Sequence, residues 1–343
     1  MLSELQFYYT KLSQSRVFPG ADLADSAYLD DDGTIDYVKR KNIYIPGNEV
    51  EIDRPLVSVP WRPMFSDEKC GIFLILGQSN AANHGEGSYR SRHRVFALDF
   101  MTLACHSAED PLPGGSANGG SIWPRLGDLL VQSGLFESVL FILVAFGGSF
   151  VTDWSVDTAV QRRLTLTLSR LRKCLGMPFI PMNAVLWQQG EAEANHTSMP
   201  AATYSAHLRT VFEVIRRHGV FCPAFVAKAT HCEAGEHPFN NHTAIREAQS
   251  EAADISQGIF PGPDIDVIQG KGRSDDCHLS ALGLQQAAEL WAEAIAAHAH
   301  LLGKGMVRDS VNAPRLAPAF SRRSDGSRHE DGGFAGSASL EPR

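Results

Sequence analysis

The sequence predicts an α/β protein built on a mostly parallel sheet, and two patterns lead to this prediction. First, runs of uncharged apolar residues, typical of strands buried on both faces, alternate with longer segments whose apolar residues recur at helical spacing. Second, three consecutive strands end in turns that contain glycine and polar side chains, as expected where open sheets place their chemistry. Five strands are predicted, at 71–76, 138–146, 183–188, 224–229 and 265–268.

Each predicted element has a local justification. The segment 71–76 carries no charge and includes Ile72, Phe73 and Ile75, which suit a strand. The segment 95–100 reads as a hairpin strand, and Ser121 is expected to cap the helix after it. Helices are predicted at 121–133, 158–175, 201–218, 242–256 and 280–300, and the last four carry the apolar stripes Val160–Leu164–Leu168–Leu171, Tyr204–Leu208–Val211–Ile215, Ile245–Ala248–Ala252–Ile255 and Leu284–Ala288–Trp291–Ile295.

Three regions are predicted along the 343 residues. Residues 1–65 are interpreted as an N-terminal appendage packed on the core, and 66–305 as the main domain. Residues 306–343 are rich in Ser, Gly, Arg and Pro, which predicts a disordered tail. The long segment 81–120 and the segment 230–242 are expected to border the functional site and to select its substrate.

Charge and composition exclude several classes of protein. A net charge of −8 argues against general nucleic-acid binding, which requires a basic face. No apolar run approaches the roughly 20 residues that a membrane helix needs, and the first residues lack the apolar core of a secretory leader. Six dispersed cysteines are interpreted as free thiols, which predicts a cytoplasmic address, or a secreted one if a leader has been removed. The oligomeric state is not predicted.

The chain is organised around the stretch Gly71–Asn80. Gly77 allows a sharp turn, and Ser79 follows just past the carboxyl end of the first strand. A serine at that position can expose its hydroxyl while its backbone N–H faces a substrate oxygen. The alternative is that Ser79 only caps a helix.

A second candidate cluster lies between the last predicted strand and the last helix. Asp275 precedes His278 by three residues, so its carboxylate can accept the Nδ1–H of the imidazole and leave Nε2 as a base. Asp276 is an alternative orienting carboxylate, and many such pairs are ordinary surface loops. Since the motif follows a strand, we expect it at the same sheet edge as Ser79.

Four motifs, in this order, resemble those of the SGNH-hydrolase superfamily, and more narrowly those of the sialate O-acetylesterase-like carbohydrate acetylesterases. They are Gly77-Gln78-Ser79-Asn80, Gly147-Gly148-Ser149, Trp187-Gln188-Gln189-Gly190-Glu191 and Asp275-Asp276-Cys277-His278. The resemblance covers about 71–300. It implies a flavodoxin-like three-layer α/β/α sandwich and an esterase that removes O-acetyl groups from sugars. No metal or cofactor is predicted.

The resemblance also implies roles for individual residues. Ser79 would be the nucleophile, His278 the general base and Asp275 the residue that orients it. The oxyanion would be held by the backbone N–H groups of Ser79 and Gly147 and by the side-chain amide of Gln189. A serine hydroxyl is a weak nucleophile without a neighbouring base, so the chemistry requires such a set.

Several assignments have alternatives. Gly148 could replace Gly147 as the donor, and Gln188 could replace Gln189, which could also merely satisfy loop backbone groups. Gln78 and Asn80 are candidate supporting residues beside the nucleophile. Glu191 could support the His278 side of the site, orient Gln189, or be solvated. Cys277 is expected to be buried and inert.

Three other interpretations of the sequence compete with the esterase. A zinc site could use His231, Cys232, His237 and His242 with His278, but their spacing matches no established pattern. A non-catalytic carbohydrate-binding protein would not need all three triad candidates. The third is a general short-chain esterase; general lipases and thioesterases usually have Gly-x-Ser-x-Gly, and this sequence has Ala81 at the last position. The esterase mechanism predicts a rate that falls in acid as His278 is protonated, and a flat profile from about pH 5 to 8 would contradict it.

Overall fold

The computed structural model describes residues 58–233 and 239–303. The predicted disordered tail, and all but the last residues of the predicted N-terminal appendage, therefore lie outside the described residues. Of that appendage, 58–65 is described, and its Trp61 and Phe65 are buried against the main domain. The backbone N–H of Val59 donates to the carbonyl of Cys105 at 2.7 Å.

The described residues form a seven-stranded sheet rather than the predicted five strands. The strands are β1 Cys70–Gly77, β2 Val95–Leu98, β3 Cys105–Ser107, β4 Ser138–Ala145, β5 Ala184–Gln188, β6 Ala224–Lys228 and β7 Ile259–Asp264. Their order is β3-β2-β4-β1-β5-β6-β7, and every neighbouring pair is parallel except β2–β3. The predicted mostly parallel α/β sheet is confirmed, and so is the hairpin strand near residue 95.

Helices cover both faces of this sheet. They are α1 Trp123–Gln132, α2 Val151–Ser155, α3 Ala159–Leu175, α4 Glu191–His196, α5 Ala201–Arg217, α6 His242–Glu251 and α7 Ala281–Ala296. The short α2 and α4 were not predicted, and α1 begins after Ile122, so Ser121 is not its cap. No helix in the described ranges is long and apolar enough to cross a bilayer.

Alternation along β1 divides the core into two layers. All eight residues of β1 are buried. Ile72, Leu74 and Leu76 pack with α3 and α5, whereas Phe73 and Ile75 pack with α1 and α7 on the other face. Full burial of one such side chain stabilises the fold by about 1.5–3 kcal/mol. The predicted three-layer sandwich follows directly from this arrangement.

The fifth predicted strand is wrong. Residues Ile265–Val267 form a short 3₁₀ helix, and the strand is β7, immediately before it. Pro261 and Pro263 lie within β7 and concealed it, since proline weakens any strand pattern. Proline is tolerated here because β7 is an edge strand that pairs only with β6.

The register of the central strands brings three turns to one edge. Gly77, the last residue of β1, pairs with Ala145 at the end of β4 and with Gln188 at the end of β5. Beyond these ends, the backbone N–H of Phe146 donates to Gly77 at 2.9 Å, and the N–H of Gln78 donates to Gln188 at 3.1 Å. The turns that follow β1, β4 and β5 are therefore neighbours at the carboxyl edge.

Candidate active site

Ser79 follows the turn that ends β1. Gly77 has a φ of +150°, and a Cβ there would lie 2.0 Å from the carbonyl oxygen of Gln188, so no other residue fits. The chain then enters a 3₁₀ helix at Ser79–Ala81 whose first cap is Gln78, so Ser79 does not act as a capping side chain. Ser79 is 6% exposed. Its hydroxyl makes no hydrogen bond to any residue in 58–233 or 239–303, which leaves it available for chemistry.

Asp275 and His278 form the pair that their spacing predicted. Nδ1 of His278 lies 2.8 Å from Oδ2 of Asp275. The other carboxylate oxygen accepts the backbone N–H groups of Cys277 at 3.1 Å and of His278 at 2.6 Å. Burial acts to raise the pKa of Asp275, but these hydrogen bonds outweigh it and lower that pKa. An ionised Asp275 fixes the proton of His278 on Nδ1, so Nε2 is the free base.

Asn80 joins the nucleophile turn to the histidine loop. Its Nδ2 donates to the carbonyl of Cys277 at 3.2 Å, and its Oδ1 accepts the backbone N–H of Leu279 at 3.1 Å. The residue after Ser79 thus contacts the residues on both sides of His278. The two segments meet at one edge of the sheet, as expected from the sequence. Ser79 and His278 are not hydrogen-bonded to each other, and catalytic hydrogen bonds of this kind often tighten only when substrate binds.

Glu191 is buried behind Asn80. Its Oε1 accepts from Nδ2 of Asn80 at 3.0 Å, and its Oε2 has no partner among the described residues. Burial is the main reason that the pKa of Glu191 is raised, to about 7. Glu191 therefore supports the histidine loop through Asn80 and is not solvated.

Gly147 and Gly148 follow β4, and they differ in their surroundings. The N–H of Gly147 donates to Oγ of Ser116 at 2.8 Å. A Cβ on Gly147 would lie 2.7 Å from Nε2 of His84, so a side chain there would displace that ring. Gly148 has a φ of +69° and nothing within 4 Å of such a Cβ. The predicted donor Gly147 thus faces the site, but its N–H already has an acceptor.

Gln189 lies in a buried network rather than in an open position. Its Nε2 donates to the carbonyl of Ser149 at 2.9 Å, to Oε1 of Gln78 at 3.3 Å and to Glu193. Its Oε1 accepts from the hydroxyl of Tyr204 at 3.0 Å. This is the alternative in which the amide satisfies internal groups, and the oxyanion role of Gln189 stays a prediction.

Gln78 and Gln188 have different surroundings. Oε1 of Gln78 accepts the backbone N–H groups of Gly190 at 3.3 Å and Ala192 at 3.1 Å, at the start of α4. These donors fix the orientation of the amide, so Nε2 points elsewhere and has no partner among the described residues. The Gln188 side chain lies on the α7 side of the sheet, where its Oε1 accepts a hydrogen bond from Nε1 of Trp291 at 2.8 Å.

The sequence did not single out His84 or Ser116. His84 stacks on His278 with a centroid separation of 5.3 Å and an interplanar angle of 20°. Its Nε2 lies 3.0 Å from Oγ of Ser116. Burial, reinforced by His278, lowers the pKa of His84 to about 3, so its ring is neutral. The only available signal was their location in the long 81–120 segment expected to border the site.

A disulfide joins Cys232 to Cys277, beside His278. Cys277 is buried, as expected, but the expectation of free thiols is wrong for this pair. Cys70, Cys105, Cys174 and Cys222 form no disulfide. A sequence separation of 45 residues gives no hint of the pairing, because it depends on the three-dimensional fold. The cytoplasmic address loses the support that it drew from free cysteines.

The same bond bears on the rival zinc site. The sulfur of Cys232 is committed to the disulfide, and His237 lies outside the described residues. Across 58–233 and 239–303, no group of three or more His, Cys, Asp or Glu residues is arranged to hold a metal ion.

Comparisons with known proteins bear on both fold and family. A family model described as carbohydrate esterase, sialic acid-specific acetylesterase, matches residues 69–297. A solved structure from Arabidopsis thaliana is similar with a TM-score of 0.53 and 18% identity, over 68% of this chain and 99% of that one. It supports the α/β/α fold. No curated protein matches the chain.

Two further solved structures are more distant. A carbohydrate acetylesterase from Xanthomonas citri has a TM-score of 0.47 and 16% identity, over 68% of this chain and 56% of that one. A family 3 carbohydrate esterase from Clostridium thermocellum has a TM-score of 0.44 and 15% identity, over 68% of this chain and 100% of that one.

Proposed function

Because the chain belongs to the family of carbohydrate esterases described as sialic acid-specific acetylesterases, and is thus a carboxylic ester hydrolase, we propose that it removes O-acetyl groups from sugars through an acyl-enzyme on Ser79. The observation that carries the proposal is the contact of Asn80 with both neighbours of His278. This contact joins the turn of Ser79, whose hydroxyl has no hydrogen-bond partner in the described chain, to the loop of His278, whose imidazole contacts Asp275.

The first half of the reaction forms the acyl-enzyme. Nε2 of His278 takes the proton of Ser79 as Oγ attacks the acetyl carbonyl carbon, and the carbonyl electron pair moves onto oxygen. Asp275 stabilises the imidazolium that forms. The tetrahedral intermediate then collapses, and His278 returns the proton to the departing sugar hydroxyl. Amide and backbone donors next to Ser79 stabilise the negative oxygen.

Water completes the cycle in the second half. His278 takes a proton from water as the hydroxide attacks the acetyl carbon, and the released acetate leaves Ser79 with its proton restored. No metal or cofactor enters either step. The first candidates for the substrate are O-acetylated sialic acid and acetylated polysaccharide.

The test measures acetate released from 4-nitrophenyl acetate and from a panel of O-acetylated sugars. Ser79→Ala is expected to lower kcat at least about 10³-fold on every substrate. Ser155→Ala is a matched control, since Ser155 also has a histidine neighbour, His207 at 2.7 Å, but lies outside the site. A wild-type protein that binds acetylated sugar but releases no more acetate than Ser79→Ala would instead indicate a carbohydrate-binding protein without catalysis.

The substrate panel also separates the remaining rival. A carbohydrate acetylesterase is expected to release acetate from sugars with a higher kcat/KM than from simple acyl esters. Equal or better activity on short-chain aliphatic esters would indicate a general esterase.

A further inference from the structure

The position next to the Gly147 N–H is occupied by the hydroxyl of Ser116. We propose that Ser116 is a catalytic residue whose hydroxyl donates a hydrogen bond to the oxyanion, held in place by Gly147 and His84. The inference rests on the proposed esterase function. It gives a role to two residues that no motif of the sequence marked.

The first support is that two of the three expected donors, Gly147 and Gln189, already have acceptors inside the protein. The Gly147 N–H donates to Ser116, and the Gln189 amide donates to three acceptors inside the protein. An oxyanion needs donors aimed at the site before the reaction begins. The Ser116 oxygen lies 2.8 Å from the Gly147 nitrogen, so its hydroxyl is next to the N–H that was expected to hold the oxyanion.

The second support is the way the fold holds Ser116 and His84 together. Asn83, at a φ of +64°, donates through Nδ2 to the carbonyl of Leu112 at 2.8 Å and accepts its N–H at 3.2 Å. The N–H of Ala117 donates to Ala82 at 3.2 Å, and the N–H of Gly119 donates to Asn83 at 2.8 Å. The residues on both sides of Ser116 are thus bonded to the residues that precede His84.

The number of hydrogen bonds that the Ser116 hydroxyl can make determines where its hydrogen is available. A serine hydroxyl has two lone pairs and one hydrogen. The Gly147 N–H uses one lone pair. The proposal places the proton of the neutral His84 ring on Nε2, so that this N–H uses the other lone pair at 3.0 Å. With the proton of His84 on Nε2, the hydroxyl hydrogen has no acceptor in the described protein and is available for the acyl oxygen. Two donors on one oxygen polarise its O–H bond and strengthen the hydrogen bond that it gives.

The stacked rings place this donor beside the reacting atoms. His84 lies face to face with His278, the proposed base, at a centroid separation of 5.3 Å. Ser116 is hydrogen-bonded to His84, so only the His84 ring lies between the Ser116 hydroxyl and the proposed base. In the attack step, the bond from Ser79 Oγ to the carbonyl carbon forms, and the carbonyl electron pair becomes the oxyanion. Ser116 donates a hydrogen bond to that oxygen and transfers no proton.

The experiment compares Ser116→Ala with Ser116→Thr, which keeps a hydroxyl. Removal of one oxyanion donor typically lowers kcat about 10²–10³-fold. We expect a loss of this size in Ser116→Ala, little change in KM, and recovery of most of kcat in Ser116→Thr. A second readout is the rate at which a phosphonate ester labels Ser79, since its tetrahedral adduct needs the same donor. Ser155→Ala is the control for loss of a serine beside a histidine.

Two results would overturn the proposal. A Ser116→Ala protein with wild-type or higher kcat would mean that the hydroxyl fills the oxyanion position and must leave before substrate binds. An equal loss in both variants, with an unchanged midpoint of thermal unfolding, would mean that Ser116 acts through its size. Neither result touches the esterase function, which fails only if the wild-type protein is inactive or Ser79→Ala retains its rate.

Discussion

Substitution of the buried Glu191 by glutamine offers a quantitative test of the electrostatics behind the histidine loop. Glu191 accepts a hydrogen bond from Asn80 through Oε1, and its Oε2 has no partner among the described residues. Glutamine has the same shape, keeps an oxygen for Asn80 and cannot ionise. Glu191→Gln therefore removes a titration while it retains the contact that supports the site.

The magnitude follows from the pKa of Glu191, which burial raises from 4.5 to about 7. The folded protein retains this proton at pH values where the unfolded chain has lost it, so the free energy of unfolding decreases as pH rises from 4.5 to about 7. At about 1.4 kcal/mol for each tenfold change in proton affinity, the total decrease is about 3 kcal/mol. Above that range the Glu191 contribution is constant.

The assay is urea unfolding at several pH values from acid to mildly alkaline. At low pH, the free energies of unfolding of wild type and Glu191→Gln are expected to be close. As pH rises, the glutamine variant gains stability relative to wild type by up to about 3 kcal/mol. Glu251→Gln, which removes an exposed carboxylate from α6, is the control for the change in net charge. A stability difference that does not change with pH would refute the reasoning, and so would a Glu191→Gln protein that is as inactive as Ser79→Ala.

Two further predictions concern the histidine loop. Asp275→Asn should lower kcat by about 10²–10⁴-fold, because an asparagine amide cannot hold the Nδ1–H tautomer of His278 as a carboxylate does; steady-state kinetics check this, and an unchanged kcat would favour another orienting group. Cys232→Ser should lower the free energy of unfolding by about 2–4 kcal/mol, since the disulfide closes a loop between residues that are 45 apart. Urea unfolding without reductant measures that loss, with Cys174→Ser as the control at a cysteine outside the disulfide, and equal stability of the two variants would contradict it.

The parts of the site that the sequence predicts are those encoded locally. Asp275 and His278 are three residues apart, and their hydrogen bond forms within one turn of loop. Ser79 follows the end of a strand that one apolar run defines. Each of these assignments needs only a short segment and the rule that parallel strands place their carboxyl ends together.

The parts that the sequence does not predict depend on competition between distant groups. Whether the Gln189 amide faces the substrate or the interior depends on Ser149 and Glu193, which provide acceptors inside the protein. Likewise, the N–H of Gly147 meets Ser116, from a loop 31 residues earlier in the chain. The pattern of residue types does not show which hydrogen-bond partner each of these groups has, because tertiary contacts determine it.

The histidine loop illustrates how such contacts create a site from weak local signals. Cys277 is held by the disulfide to Cys232, and its carbonyl accepts from Asn80 at 3.2 Å and from Arg273 at 2.6 Å. These anchors come from three separate segments of the chain. Because catalysis falls steeply when a group moves by about 1 Å, such anchoring counts as much as the identity of His278. An Asp-x-x-His sequence without these anchors would be an ordinary surface loop. The motif therefore identifies Asp275 and His278, but the residues that position them become visible only in the folded structure.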